Sequence, residues 1–281
     1  MNVITNVITN VTRIHSANDE FQVIEALKCS RVKRAKNHEI FIEGIESIKQ
    51  ALIAKIDISR IIVSDIDGVS DWAKAVITDN HKHAKIIELD SDLYKKLCDR
   101  TDPSEMLITA RIKSNELADI PLAREPFIVL LDRPGDTGNL GSIIRTANSF
   151  NVDALFIIGH SVDIYDPKVI RASLGSIFHT EIVQIQSINE ISEYIKAEKE
   201  RSGIKIIGTD SAGSVPLNDA VISRPIMLII GNEARGISVT LKNMCDTIIR
   251  IPISGETNSL NVAAAAGIFM WEIHKNKPAT A

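Results

Sequence analysis

Cysteine is scarce in this sequence. Three residues, Cys29, Cys98 and Cys245, are scattered along 281 positions with no C-x-x-C pair. That excludes a disulfide framework and a zinc ribbon, and it fits a reducing, cytoplasmic setting. Long apolar runs are also missing. Residues 262–270, with their four alanines, fall well short of the roughly 20 needed to span a bilayer. No basic N-terminal start leads into an apolar core, so no secretion signal is expected. Positive charge is not in excess either: 32 Lys and Arg stand against 36 Asp and Glu, a net charge of −4. Any nucleic-acid contact must therefore rest on local patches. The dinucleotide signature G-x-G-x-x-G is absent, which weighs against a nicotinamide-dependent dehydrogenase.

What is present is the composition of a globular protein, 44% hydrophobic and 24% charged, long enough for one large or two ordinary domains. Residues 1–12 hold a short tandem, NVITNVITNVT, too brief for a solenoid and read as a tail or an added edge strand. An amphipathic helix follows from Ser16, with Phe21, Ile24 and Leu27 on one stripe. Lys28, Arg31, Lys33, Arg34 and Lys36 then place five cations in nine residues. Such a run is either a solvated helix end or a surface that contacts RNA phosphates. From Glu39 to Ala110 short apolar runs alternate with helical patterns, the sign of a small α/β domain. The expected layout is a tail at 1–18, a substrate-binding α/β domain at 19–113, a polar linker at 114–125 and a second α/β domain at 126–281. In the second domain several strands are apolar throughout, as in a mostly parallel sheet covered on both faces.

Residues 132–150, DRPGDTGNLGSIIRTANSF, stand out. The apolar run 127–131 predicts a buried strand before them. Pro134 to Gly138 form a turning loop, and Asn139 is read as the N-cap of a helix with Leu140, Ile143, Ile144 and Ala147 on one face. Arg145 projects from its second turn. A strand, a Gly-rich loop and a helix start with one Arg suit anion or nucleotide chemistry. Three more loops follow strands: GTDSAG at 208–213, GNEARG at 231–236 and IPISGETNSLN at 251–261. One Gly-containing loop is ordinary turn chemistry. Four at strand ends of one open sheet point to a ligand site.

NLGSIIRTA, IIGNEARGI and IPISGETNSLNVAAAAGI, in that order, resemble the three signature motifs of the SpoU (TrmH-type) RNA ribose methyltransferases of the SPOUT class. KVIRASLGSIFH at 168–179 is similar to the family's link after its first motif. The first domain, with its Phe41-Ile-Glu-Gly44 start, resembles the substrate-binding domain of ribosomal-RNA members. The resemblance implies a C-terminal catalytic domain with a deep trefoil knot, S-adenosyl-L-methionine as cofactor, and a homodimer acting on RNA of the 23S ribosomal type, in some members at a drug site. It implies no metal and no membrane.

By motif position, Gly208, Thr209, Gly231, Asn232, Ile251, Ile253 and Leu260 would hold the cofactor. Asn139, Arg145, Glu233, Ser259 and Asn261 would form the catalytic set, and Arg31, Lys33, Arg34 and Lys36 would bind RNA. Arg145 would be the catalytic arginine. A guanidinium, with its pKa above about 12, is an awkward base, so Arg145 is either assisted by a substrate phosphate or clamps that phosphate and positions the ribose 2′-hydroxyl. A transfer-RNA target, or an RNA-binding assembly factor on the same scaffold, are the competing readings. The first motif reads Gly135-Asp-Thr-Gly138 where many relatives have D-P-x, which leaves the nucleotide open.

Overall fold

The computed structural model describes residues 11–99, 103–112, 116–257 and 259–276. The chain divides into two units, residues 1–113 with 163–178, and residues 114–162 with 179–281.

The first unit runs β1 (Val11–Ile14), α1 (Asp19–Cys29), α2 (Arg31–Asn37), β2 (Glu39–Glu43), α3 (Ile45–Ile53), β3 (Ile58–Val63), α4 (Asp71–Asn80), β4 (Lys85–Leu89), α5 (Ser91–Leu97) and β5 (Met106–Arg111). Its sheet has the order β1-β4-β3-β5-β2, with β5 antiparallel to both neighbours and the other pairs parallel. Phe21, Ile24 and Leu27 of α1 and Leu93, Tyr94 and Leu97 of α5 cover one face, packed with Phe41, Ile62 and Ile87. The spacing of three along α1 puts its apolar residues on the covered stripe. Asn18 caps α1 by accepting from Phe21 N.

The second unit runs β6 (Phe127–Asp132), α6 (Thr137–Ser149) and β7 (Ala154–Ile158). The chain then passes α7 (Pro167–Ala172) and continues through β8 (Ile182–Ile185), α8 (Ile188–Ser202), β9 (Lys205–Thr209), β10 (Val215–Pro216), β11 (Ile226–Ile230), α9 (Val239–Met244), β12 (Thr247–Arg250) and α10 (Val262–Lys275). Its seven strands lie in the order β10-β12-β9-β11-β6-β7-β8, every pair parallel. β6, β7 and β11 are buried at every position, which is why they are apolar runs and do not alternate. One core joins Ile128, Leu130, Phe156 and Ile229 to Ile191, Ile195 and Leu241.

The structure bears on four expectations. Of the two readings of the N-terminal stretch, the added edge strand holds for residues 11–14, which pair with Ile86–Leu89 as β1; the tandem before them lies outside the described residues. Residues 163–178, inside the span expected for the second domain, pack with the first unit. Arg34 donates to Asp163 at 2.8 Å, and Arg171 Nη1 donates to Glu43 Oε2 at 2.7 Å, Glu43's side chain being fully buried. Ser47 adds a long hydrogen bond to Ile170 O. The N-cap of α6 is Asp136, which accepts from Asn139 N at 2.8 Å; the carboxylate three residues earlier outcompetes the amide. Finally the sequence pattern places the start of the last helix at Ser259, whereas α10 starts at Val262, capped by Asn261.

Candidate active site

The loops that follow β9, β11 and β12, with the start of α6, enclose a cavity of about 510 Å³ at the C-terminal ends of the strands. Ile230, Ile249, Ile251, Ile253, Leu260 and Phe269 line it with apolar groups. Ile253 and Leu260 remain 37% and 40% exposed, so apolar surface inside the cavity is left for a ligand to cover.

Gly231 is required by packing. A Cβ there would overlap the backbone of Gly236 and Ile237, where the loop turns back across its own start. Asn232 and Gly236 close the turn with reciprocal backbone hydrogen bonds of 3.1 and 2.8 Å, and Gly236 takes φ +63°. Asp132, 3% exposed, anchors the turn from below. It accepts from Ser238 N at 2.7 Å and holds Arg133 through Nε at 2.7 Å and Nη2 at 3.0 Å. Arg133 O in turn accepts from Asn232 Nδ2 at 2.8 Å. Gly159, at φ +78°, makes room for this clamp, since a Cβ would lie 2.7 Å from Arg133 Cγ.

Polar side chains tie the three loops together through Asn139. Its Nδ2 donates to Glu233 Oε1 at 3.2 Å, and its Oδ1 accepts from Asn261 Nδ2 at 2.9 Å. The second oxygen of Glu233 accepts from Gly135 N at 3.4 Å and Asn232 Nδ2 at 3.2 Å. Asn261 Oδ1 caps α10 through Ala263 N and Ala264 N. One amide therefore reads both neighbours, and its orientation is fixed by a donor on one side and an acceptor on the other. Asp210, also in the lining, accepts from Lys242 and, at 2.9 Å, from Ala212 N, and these two contacts hold its carboxyl below the usual range.

Residues 126–271 match the family model for the SpoU rRNA Methylase family, and residues 18–109 match that for the SpoU L30e-like domain. The chain belongs to the SpoU rRNA methylase family. A curated relative, the 23S rRNA (uridine(2479)-2′-O)-methyltransferase of Streptomyces viridochromogenes, is 33% identical over 92% of this chain and 91% of its own length. The 23S rRNA (guanosine(2553)-2′-O)-methyltransferase RlmP of Bacillus subtilis is 28% identical over 87% and 92%. The crystal structure of the SpoU methyltransferase AviRb from Streptomyces viridochromogenes in complex with AdoMet superposes with a TM-score of 0.86 at 31% identity, covering 92% of this chain and 98% of that one. An AdoMet-bound rRNA methyltransferase from Sinorhizobium meliloti gives a TM-score of 0.79 at 27% identity, over 93% and 97%.

Most SpoU motif positions gather at this cavity: Asn139, Thr209, Gly231, Asn232, Glu233, Ile251, Ile253, Ser259, Leu260 and Asn261 all line it. Gly208 does not. The space beside its Cα belongs to Ile248 Cδ1 and Cys245 Sγ, 2.6 and 2.8 Å from where a Cβ would stand, so the strand packs too closely there for a side chain. Arg145 is exposed on α6 and is not in the cavity wall. The SpoU motifs did not single out Asp210, Ser211, Arg235, Ile249, Ala265 or Phe269, which line the cavity too. For Asp210, Ser211 and Arg235 the signal was there, since they sit inside loops already marked. Phe269 lies two turns into α10 and carries no local mark.

The basic segment splits. Arg31, Lys33 and Lys36 are exposed, but Arg34 is 3% exposed and its Nη1 donates to the carbonyls of Leu27 and Lys28 at 2.8 and 2.9 Å. With Asp163 on its other edge, Arg34 is a structural residue and leaves the RNA-binding set. Among the described residues no group of three or more His, Cys, Asp or Glu could hold a metal ion, and no helix is long and apolar enough to cross a membrane.

Proposed function

We infer that this protein transfers a methyl group from S-adenosylmethionine to a ribose 2′-hydroxyl of 23S-type ribosomal RNA. The observation that carries the inference is the cavity itself, apolar on one side and closed on the other by the Asn139–Glu233–Asn261 tie, built from the three SpoU motifs. The residues present fit the cofactor: Ile251, Leu260 and Phe269 offer apolar walls for adenine, and Gly231 lets backbone approach closely. When bound, the cofactor supplies a methyl group on a sulfonium, whose departure leaves a neutral thioether.

The chain's own part is positioning. Asn139 and Glu233 orient the entering ribose, while Asn261 fixes Asn139 and starts α10. Arg145 stands outside the cavity of its own chain. This supports a homodimer in which Arg145 of one protomer clamps an RNA phosphate beside the cavity of the other. The exposed Ile268 and Trp271 of α10, 39% and 53% accessible, suit the dimer surface. The trefoil knot belongs to the same reading, with the loop at Gly231 as one of its crossings. Arg31, Lys33 and Lys36 would add phosphate contacts from the first unit.

Two measurements test this. Mapping of 2′-O-methylation in ribosomal RNA with and without the protein should reveal one missing site. Arg145→Ala should lower methyl transfer by about 100-fold or more, as expected when positioning is lost, with cofactor affinity unchanged. A large fall in cofactor affinity would overturn the role given to Arg145.

A further inference from the structure

Three charged side chains line the cavity: Asp210, Glu233 and Arg235. Two are already engaged. Asp210 is held by Lys242 and Ala212 N, and Glu233 by Gly135 N, Asn139 and Asn232. The guanidinium of Arg235 has no ion-pair or hydrogen-bond partner among the described residues. Yet the backbone that carries it is stiff. Asn232 Oδ1 accepts from Arg235 N at 3.1 Å and from Ala234 N at 3.0 Å, and Asn232 and Gly236 close the turn around it. A lone cation on a braced turn, in the wall of a cavity whose acids are both occupied, is provision for an incoming anion.

We propose that Arg235 receives the α-carboxylate of the cofactor's methionine moiety. This rests on the cofactor reading given above and adds to it the residue that recognises the amino-acid end. S-adenosylmethionine has a purine at one end and a zwitterion at the other. The apolar walls suit the first, and only Arg235 among the described lining residues offers a cation for the second. A guanidinium meets a carboxylate through two parallel N–H donors, a geometry that a lysine cannot reproduce.

The test is calorimetry of the full chain with three ligands. S-adenosylmethionine and S-adenosylhomocysteine both carry the carboxylate, whereas 5′-methylthioadenosine keeps the nucleoside and thioether but has no amino-acid part. Arg235→Gln should weaken the first two by about 10- to 100-fold, the range for one charge-assisted hydrogen-bonded pair, and leave 5′-methylthioadenosine within about twofold. Arg235→Lys should fall between. An equal loss for all three ligands would overturn the proposal, since it would mark Arg235 as a support of the turn. Unchanged affinity for all three would overturn it too, and a concurrent loss of RNA affinity would reassign the residue to a phosphate of the substrate. A larger loss for S-adenosylmethionine than for S-adenosylhomocysteine would trace the effect to the sulfonium and equally sink the carboxylate assignment. Failure of the unaltered protein to bind any of them would instead remove the cofactor reading on which this one stands.

Discussion

Asn139 is available to the site because another side chain caps its helix. Asp136 takes the capping role, which leaves the Asn139 amide to accept from Asn261 and donate to Glu233. Replacing Asn139 with Ala should therefore separate activity from stability. Single-turnover methyl transfer should drop by about 100-fold, the scale of a small misplacement of reacting groups, while calorimetry shows a melting temperature within about 2 °C of the parent. A matching collapse in stability would show that the tie is structural. At this scale the sequence marked positions well and roles poorly. Gly208 and Gly231 both close apolar runs in the sequence and read alike. Only spatial neighbours separate them, since Ile248 and Cys245 crowd one and the returning turn crowds the other. Arg34 looked like its cationic neighbours because its partner, Asp163, lies 129 residues away.

Helices and strands were far easier to read. The buried strands of the second unit declare themselves as nearly uninterrupted apolar runs. β10, with two residues, and α9, with six, are too short to carry a period and went unread. Ends were the weaker part: at α6 two candidate acceptors, Asp136 and Asn139, compete for one set of free N–H groups, and at α10 the cap falls at Asn261. Asp136→Ala is the corresponding prediction: a loss of about 1 kcal/mol in urea unfolding, typical of a removed N-cap. Asn139 stays on the first turn of α6, so cofactor affinity should change less than twofold. A free-energy change near zero would mean that Asn139 resumes the cap, and methyl transfer would then fall as its amide left the site.

Across the whole molecule several carboxyls are held below their ordinary range. At Asp210 the Lys242 and Ala212 hydrogen bonds lead; at Asp246 burial works the other way but is outweighed by Lys199 and Ile206 N. A carboxyl with a lower pKa folded than unfolded adds stability that is complete above the unfolded value, about 4, and is lost as the pH falls through the folded one. Melting temperatures should hold steady down to about pH 5 and then decline, with a shallower acid decline in Asp210→Asn. An equally steep decline in that variant would assign acid sensitivity to other groups. The two-unit plan was legible from the polar break near residue 114. The return of 163–178 to the first unit was not, because nothing in KVIRASLGSIFH announces what it packs against.

That returning segment also sets an order of events during synthesis. Glu43, whose side chain is fully buried, meets Arg171 only after 128 further residues have been made, and Arg34 waits 129 for Asp163. An unpaired buried charge costs about 3–5 kcal/mol, so the first unit cannot reach its final stability as the leading part of a growing chain. Its completion waits until the opening part of the second unit, residues 114–162, has been made.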